Sequence, residues 1–143
     1  ILLFLILHIF LQKKLVLSIM ESLLIQNTED TPQIDFDLGT GIFSISGRSL
    51  PENAIEFYMP ILEWIEKVLS ETSGKTYIFE IKLEYFNTAS SKQLAKMLLM
   101  IEKYNELHNI IIRWCYEKED NDMLVSGNQY SKFLKLKFEF IEY

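Results

Sequence analysis

Thr76-Tyr77-Ile78-Phe79-Glu80-Ile81-Lys82-Leu83-Glu84-Tyr85-Phe86 runs directly into Asn87-Thr88-Ala89-Ser90-Ser91-Lys92. The first part alternates. Tyr77, Phe79, Ile81, Leu83 and Tyr85 fall on one face, and Glu80, Lys82 and Glu84 on the other. Period two with one wet face predicts a strand. Beyond the break, Leu94, Met97, Leu98, Ile101 and Tyr104 recur at helical spacing. The break itself is small and polar. Asn, Thr and Ser accept hydrogen bonds from backbone N–H groups, so one of them caps the helix. The others then lie at the positive end of its dipole, beside unpaired donors. Two readings stand here. One is a plain, over-provided N-cap. The other is a phosphorylation switch on Thr88, because a helix N-terminus accepts the roughly −1.5 to −2 charges that a phosphate adds at pH 7.

Upstream, Gln33-Ile34-Asp35-Phe36-Asp37-Leu38 alternates as a strand, Gly39-Thr40-Gly41 marks a turn, and Ile42-Phe43-Ser44-Ile45-Ser46 reads as the return strand of a hairpin. In Gly47-Arg48-Ser49-Leu50-Pro51-Glu52-Asn53, Ser49 and Glu52 have capping-box spacing, with Pro51 placed in the first helical turn. The helix predicted there runs to about Glu71. Its apolar face is Ala54, Phe57, Tyr58, Ile61, Trp64, Ile65 and Val68, and Pro60 should kink it.

Downstream, the second helix ends near His108-Asn109, where His108 suits a structural role at a helix C-terminus. Ile110 to Tyr116 reads as a central strand, with Arg113 paired or at an end and Cys115 a small core residue. Glu117 to Asp122 is an acidic loop. Met123 to Phe133 holds a short helix interrupted at Gly127-Asn128, and Phe133 to Ile141 alternates as a last strand. The order β-β-α-β-α-β-(α)-β predicts a single α/β domain, a mixed sheet of about five strands with helices packed on it.

Residues 1–19 stand apart. Ile1 to Leu11 is apolar except for His8, and Lys13 and Lys14 follow it. A secretory signal places its charge first, and the run is too short to span a bilayer. Met20 is therefore expected to be the natural start and 1–19 a non-native leader, with a membrane-surface anchor as the alternative. Residues 20–32 read as a polar lead-in and 33–143 as the domain.

With 49% hydrophobic residues in 143, the chain can bury one sizeable core. Its net charge of −6 argues against nucleic acid as a partner. One cysteine permits no intrachain disulfide and suits a reducing, cytoplasmic setting. No glycine-rich phosphate loop, Cys/His zinc cluster or nucleophile elbow is present, so no cofactor is expected. These absences favour a binding or regulatory module over an enzyme. The remaining enzymatic reading places a metal on Glu119, Asp120 and Asp122, a set without the EF-hand pattern.

Gly47-Arg48-Ser49-Leu50-Pro51-Glu52-Asn53, Glu56-Phe57-Tyr58 with Pro60 and Trp64, Leu83 to Lys92, and Trp114-Cys115-Tyr116 before an acidic loop together resemble the SiaC family of bacterial regulatory phosphoproteins. The resemblance covers about Thr31 to the C-terminus. It implies a STAS-like fold of the SpoIIAA type and a partner-switching role. A Ser/Thr kinase would phosphorylate Thr88, a PP2C-type phosphatase would reverse this, and the unmodified form would bind and activate a GGDEF-domain diguanylate cyclase, raising cyclic-di-GMP and promoting biofilm. Asn87, Ser90, Ser91 and Lys92 would frame the phosphoacceptor, with Arg48, Ser49 and Glu52 among the partner-binding residues. The family usually reads Asn-Thr-Ser-Ser-Ala-Lys; here Ala89 and Ser91 have exchanged character, and Leu50 replaces an aromatic residue. The alternative partner is an anti-sigma kinase, which would make the chain an anti-sigma-factor antagonist.

Overall fold

The computed structural model describes the backbone of residues 1–143 and all side chains except those of 16–19. In chain order the elements are α1 (Leu2–Ile19), β1 (Leu23–Ile25), β2 (Gln33–Asp37), β3 (Ile42–Ser49), α2 (Ala54–Glu71), β4 (Thr76–Phe86), α3 (Thr88–Glu102), β5 (Asn109–Tyr116), α4 (Asn121–Phe133) and β6 (Lys137–Glu142). The strands form one six-stranded sheet in sequential order. β1, β2 and β3 pair antiparallel, and β3 through β6 pair parallel. Each parallel step needs a crossover helix, and right-handed crossovers place α2, α3 and α4 on the same face.

The mixed α/β sheet is as expected, with one strand more. β1 lies inside the stretch read as a polar lead-in, since three residues are too few to show alternation. Trp64 ties it down: its Nε1–H donates to the Glu21 carbonyl at 2.9 Å while the ring packs on Phe36 and Phe43 at 5.3 and 5.0 Å. α1 adds no residue to the core cluster among the described residues, and its side chains from Leu2 to Leu11 are exposed.

The core lies between the sheet and the helices. Tyr77, Phe79, Ile81 and Leu83 of β4 are buried there with Tyr58, Ile61 and Ile65 of α2 and Leu94, Met97 and Leu98 of α3. The alternation then breaks. A register shift after Gly47 sets Gly47 opposite Leu83 but Arg48 opposite Tyr85, leaving Glu84 as the extra residue of a bulge. Tyr85, expected inside, is therefore exposed, with the Arg48 guanidinium 5.3 Å above its ring. Phe86 turns inward and meets Trp114 edge-on.

The far face of the sheet is polar. Arg113, in the middle of β5, pairs with Glu80 at 3.3 Å, and Glu80 also accepts from Ser44 Oγ at 2.9 Å. Cys115 is buried, and burial pushes its thiol above its usual pKa, which suits an inert residue. His108 sits against the C-terminus of α2 rather than α3. The Lys75 N–H donates to Nδ1 at 3.2 Å, so Nε2 carries the ring hydrogen and donates it to the Leu69 carbonyl at 3.0 Å.

Two boundaries differ from expectation. β6 begins at Lys137, because Phe133 still belongs to α4. α4 is also unbroken through Gly127, where a Cβ would stand 2.6 Å from the Trp114 ring. The glycine is a packing requirement, not a break. Helix propensity alone would make Gly127→Ala stabilising by about 1 kcal/mol. Overpacking against a fully buried ring should outweigh it, for a net loss of about 1–2 kcal/mol. Urea unfolding of this variant gives the sign directly.

Candidate functional site

The site lies where β4 hands over to α3. Asn87 is the N-cap: extended at φ −82°, ψ 176°, it accepts the Ser90 N–H on Oδ1 at 2.9 Å. Capping therefore falls to Asn87, and the three hydroxyls after it are left to other roles. Ser90 points inward and is fully buried. Ser91 is half-buried and donates to the Thr88 carbonyl at 2.7 Å. Thr88 is the first helical residue and is exposed, and its hydroxyl makes no hydrogen bond among the described residues. Of the three, Thr88 alone is both exposed and without a side-chain hydrogen bond among the described residues.

Buried hydroxyls hold this arrangement. Ser90 Oγ donates to the Ser49 carbonyl at 3.0 Å, which also accepts the Asn87 N–H at 3.0 Å. Ser49 Oγ donates to Ser90 Oγ at 2.8 Å and lies 2.6 Å from the Tyr58 phenol. A hydroxyl has one hydrogen, so Ser49 must accept from Tyr58. The order is Tyr58 to Ser49 to Ser90 to the Ser49 carbonyl, and every hydrogen is used. This chain locks the end of β3, the second turn of α2 and the start of α3 together. Burial is the main cause raising the Tyr58 phenol above its normal pKa, against the lowering effect of the nearby Ser49 and Ser90 hydroxyls. Tyr130, whose OH donates to the Ser91 carbonyl at 2.9 Å, is pushed up to about 12, mainly by burial. Both phenols stay neutral donors.

Several expectations are corrected. Ser49 does not cap α2. Asn53 does, accepting the Glu56 N–H at 3.1 Å, and Pro51 precedes the cap. Because Ser49 and Ser90 are fully buried, they offer a partner no surface and act as positioning residues. Glu52, Arg48 and Lys92 are exposed. Lys92 stands one turn after Thr88 on the same helix face. Glu52, Thr88 and Lys92 line one groove of about 1130 Å³, into which the N-termini of both α2 and α3 open. Sequence reasoning missed Tyr58 as part of the site, since its spacing marks it only as core.

The acidic loop is spent on structure. Glu119 adopts positive φ (73°), and Asp120 caps α4 by accepting the Met123 N–H at 3.0 Å. Among the described residues no group of three or more His, Cys, Asp or Glu side chains is placed to hold a metal ion.

A mixed α/β domain that offers a single free threonine at the start of a helix, in a groove beside a buried hydroxyl lock, has the form of a regulatory protein read by its partners. The chain belongs to the SiaC family of regulatory phosphoproteins, whose model matches residues 25–143. Its fold is similar to the structure of SiaC of Pseudomonas aeruginosa, with a TM-score of 0.78 at 25% identity over 87% of this chain and 100% of that one. The fold also matches a crystal structure of the diguanylate cyclase SiaD in complex with its activator SiaC from the same organism, with a TM-score of 0.79 at 24% identity over 85% and 99% of the two chains. An uncharacterised protein of Pseudomonas aeruginosa strain UCBPP-PA14 is 29% identical over 102 residues, 71% of this chain and 80% of that one.

Replacing Ser49 with Ala should leave the buried Tyr58 hydroxyl without an acceptor and cost about 1–3 kcal/mol. Tyr58→Phe leaves Ser49 and Ser90 paired and should cost about 1 kcal/mol or less. Thermal or urea unfolding of the two variants gives that ranking if the hydroxyl order is right.

Proposed function

We propose that this chain is a non-enzymatic partner-switching protein, reversibly phosphorylated on Thr88, whose unmodified form binds and activates a diguanylate cyclase. Family membership supports a regulatory phosphoprotein. The related SiaC, an activator in complex with the cyclase SiaD, supports the kind of partner. The observation that carries the reading is the position of Thr88: free, exposed and first in α3, while the neighbouring Ser90 is sealed in the core.

The switch follows from electrostatics. A phosphate on Thr88 adds about −1.5 to −2 charges at pH 7. The N-terminus of α3 and Lys92 would hold it without unfolding the domain. A partner seated over the groove would have to desolvate that charge beside Glu52 and Glu56, which line the same groove. Binding would then be lost through repulsion and desolvation rather than by a change of fold. On this reading a Ser/Thr kinase writes the mark and a PP2C-type phosphatase removes it. The protein works in the cytoplasm, the cyclase output is cyclic-di-GMP, and the process it serves is biofilm formation.

Thr88→Ala should bind a GGDEF-domain partner constitutively. Thr88→Glu should bind at least about tenfold more weakly, a loss of about 1.4 kcal/mol. Pull-down followed by calorimetry measures both, and equal affinities would remove the mechanism. Recovery of a sigma-regulating kinase in place of a GGDEF protein would move the chain to the anti-sigma-antagonist class. Phosphosite mapping on native protein checks the first step: Thr88 carries the phosphate and Ser90 carries none.

A further inference from the structure

α2 and α3 leave a second groove between them, of about 970 Å³, continuous with the first through Ile55, Lys92 and Gln93. Its floor is apolar and wet. Ile55, Met59 and Leu99 are 63%, 50% and 54% exposed. Its two walls carry opposite charge. α2 supplies Glu63, Glu66 and Glu71, with Lys67 the single cation, and α3 with its C-cap supplies Lys92, Lys96 and Lys103. The walls do not neutralise one another. Among the described residues the ion pairs are Arg113–Glu80 and Lys137–Glu139, both on the sheet. One carboxylate oxygen of Glu71 is out of contact with solvent and has no hydrogen-bond partner.

The topology says what fits. α2 and α3 each connect parallel strands in the same direction, so they run parallel to each other. A two-fold axis along the groove would lay α2 of one copy over α3 of the other with heights unchanged. Glu66, in the second half of α2, and Tyr104, just past the end of α3, are hydrogen-bonded at 2.5 Å and mark one such height. Acidic wall then meets basic wall twice, and Ile55, Met59 and Leu99 of both copies close on each other. A two-fold axis across the groove would instead set glutamates on glutamates and lysines on lysines.

We infer that the α2–α3 face is a self-association surface on which two copies of this chain pack α2 against α3 about a two-fold axis along the groove. Such an interface is isologous, as closed dimers require. At 1.5 Å per residue α2 is about 27 Å long and α3 about 22 Å, and two helices side by side are about 20 Å wide, so the pair buries on the order of 900 Å². That is below the ~1,200 Å² of a stable specific interface, so the dimer is transient and concentration-dependent.

The test uses charge reversal in the full chain. One variant carries Lys96→Glu and Lys103→Glu, and the other carries Glu63→Lys and Glu66→Lys, each checked for native circular dichroism. By sedimentation velocity the wild type should be dimeric at about 100 µM and monomeric at about 1 µM, as a weak, transient interface requires. Each variant alone should be monomeric throughout, and an equimolar mixture of the two should recover the dimer. A wild type that stays monomeric at the higher concentration overturns the proposal and leaves the groove to another protein. Association that persists in both variants alone overturns it too, and assigns the contact elsewhere, with the exposed apolar α1 the first region to test.

Discussion

Parallel pairing of β3 with β4 is the constraint on which the rest of the structure depends. It runs from Ile42 opposite Ile78 to Ser49 opposite Phe86. Parallel neighbours cannot be joined by a tight turn, so the chain must leave the sheet and return as a helix. Repeated three times with one handedness, this layers α2, α3 and α4 over one face. It also brings the C-terminal ends of β3 and β4 to the same edge. The start of α2 and the start of α3 are consequently neighbours, although more than thirty residues of sequence separate Asn53 from Asn87.

The hydroxyl lock uses that proximity. A buried polar group is costly alone and favourable when satisfied. Tyr58, Ser49 and Ser90 come from three elements, and each meets its needs only if all three elements are in place. The cluster therefore specifies geometry more than it adds stability. The bulge after Gly47 belongs to the same design. Had β4 gone on alternating past Leu83 with no bulge, Phe86 would face the polar side of the sheet, and the turn into Asn87 would start from the wrong face.

Much of this was legible in the sequence. Alternation in Thr76 to Phe86 and helical spacing from Leu94 to Tyr104 gave the strand and helix that carry the site, because both patterns are long enough to be unambiguous. A cation inside an apolar strand left Arg113 either paired or at an end, and the structure pairs it with Glu80; burial of Cys115 followed from its neighbours. What escaped was decided by contacts between distant residues. Which of four small polar residues caps α3 depends on backbone geometry set by the β3 partner. The identity of the α2 cap turned on Ser49 being drawn away into the core by Tyr58 and Ser90. Gly127 looked like a helix break because its reason, the Trp114 ring, lies on another strand. The adjacent aromatics Tyr85 and Phe86 left open which of them is exposed, since the bulge that decides it is set by pairing with β3.

The inward turn of Ser90 has a consequence for signalling. The run Asn87 to Lys92 holds three hydroxyls within four positions, which in an unfolded peptide would be near-equivalent acceptors able to carry several intermediate charge states. Folding removes that equivalence by committing one hydroxyl to the core and turning another back onto its own helix. What remains, on the proposed switch, is an element with one bit of memory. Under the proposed phosphorylation of Thr88 it would be set or cleared as a whole, so its reading would depend on how many molecules are marked and not on how heavily each one is.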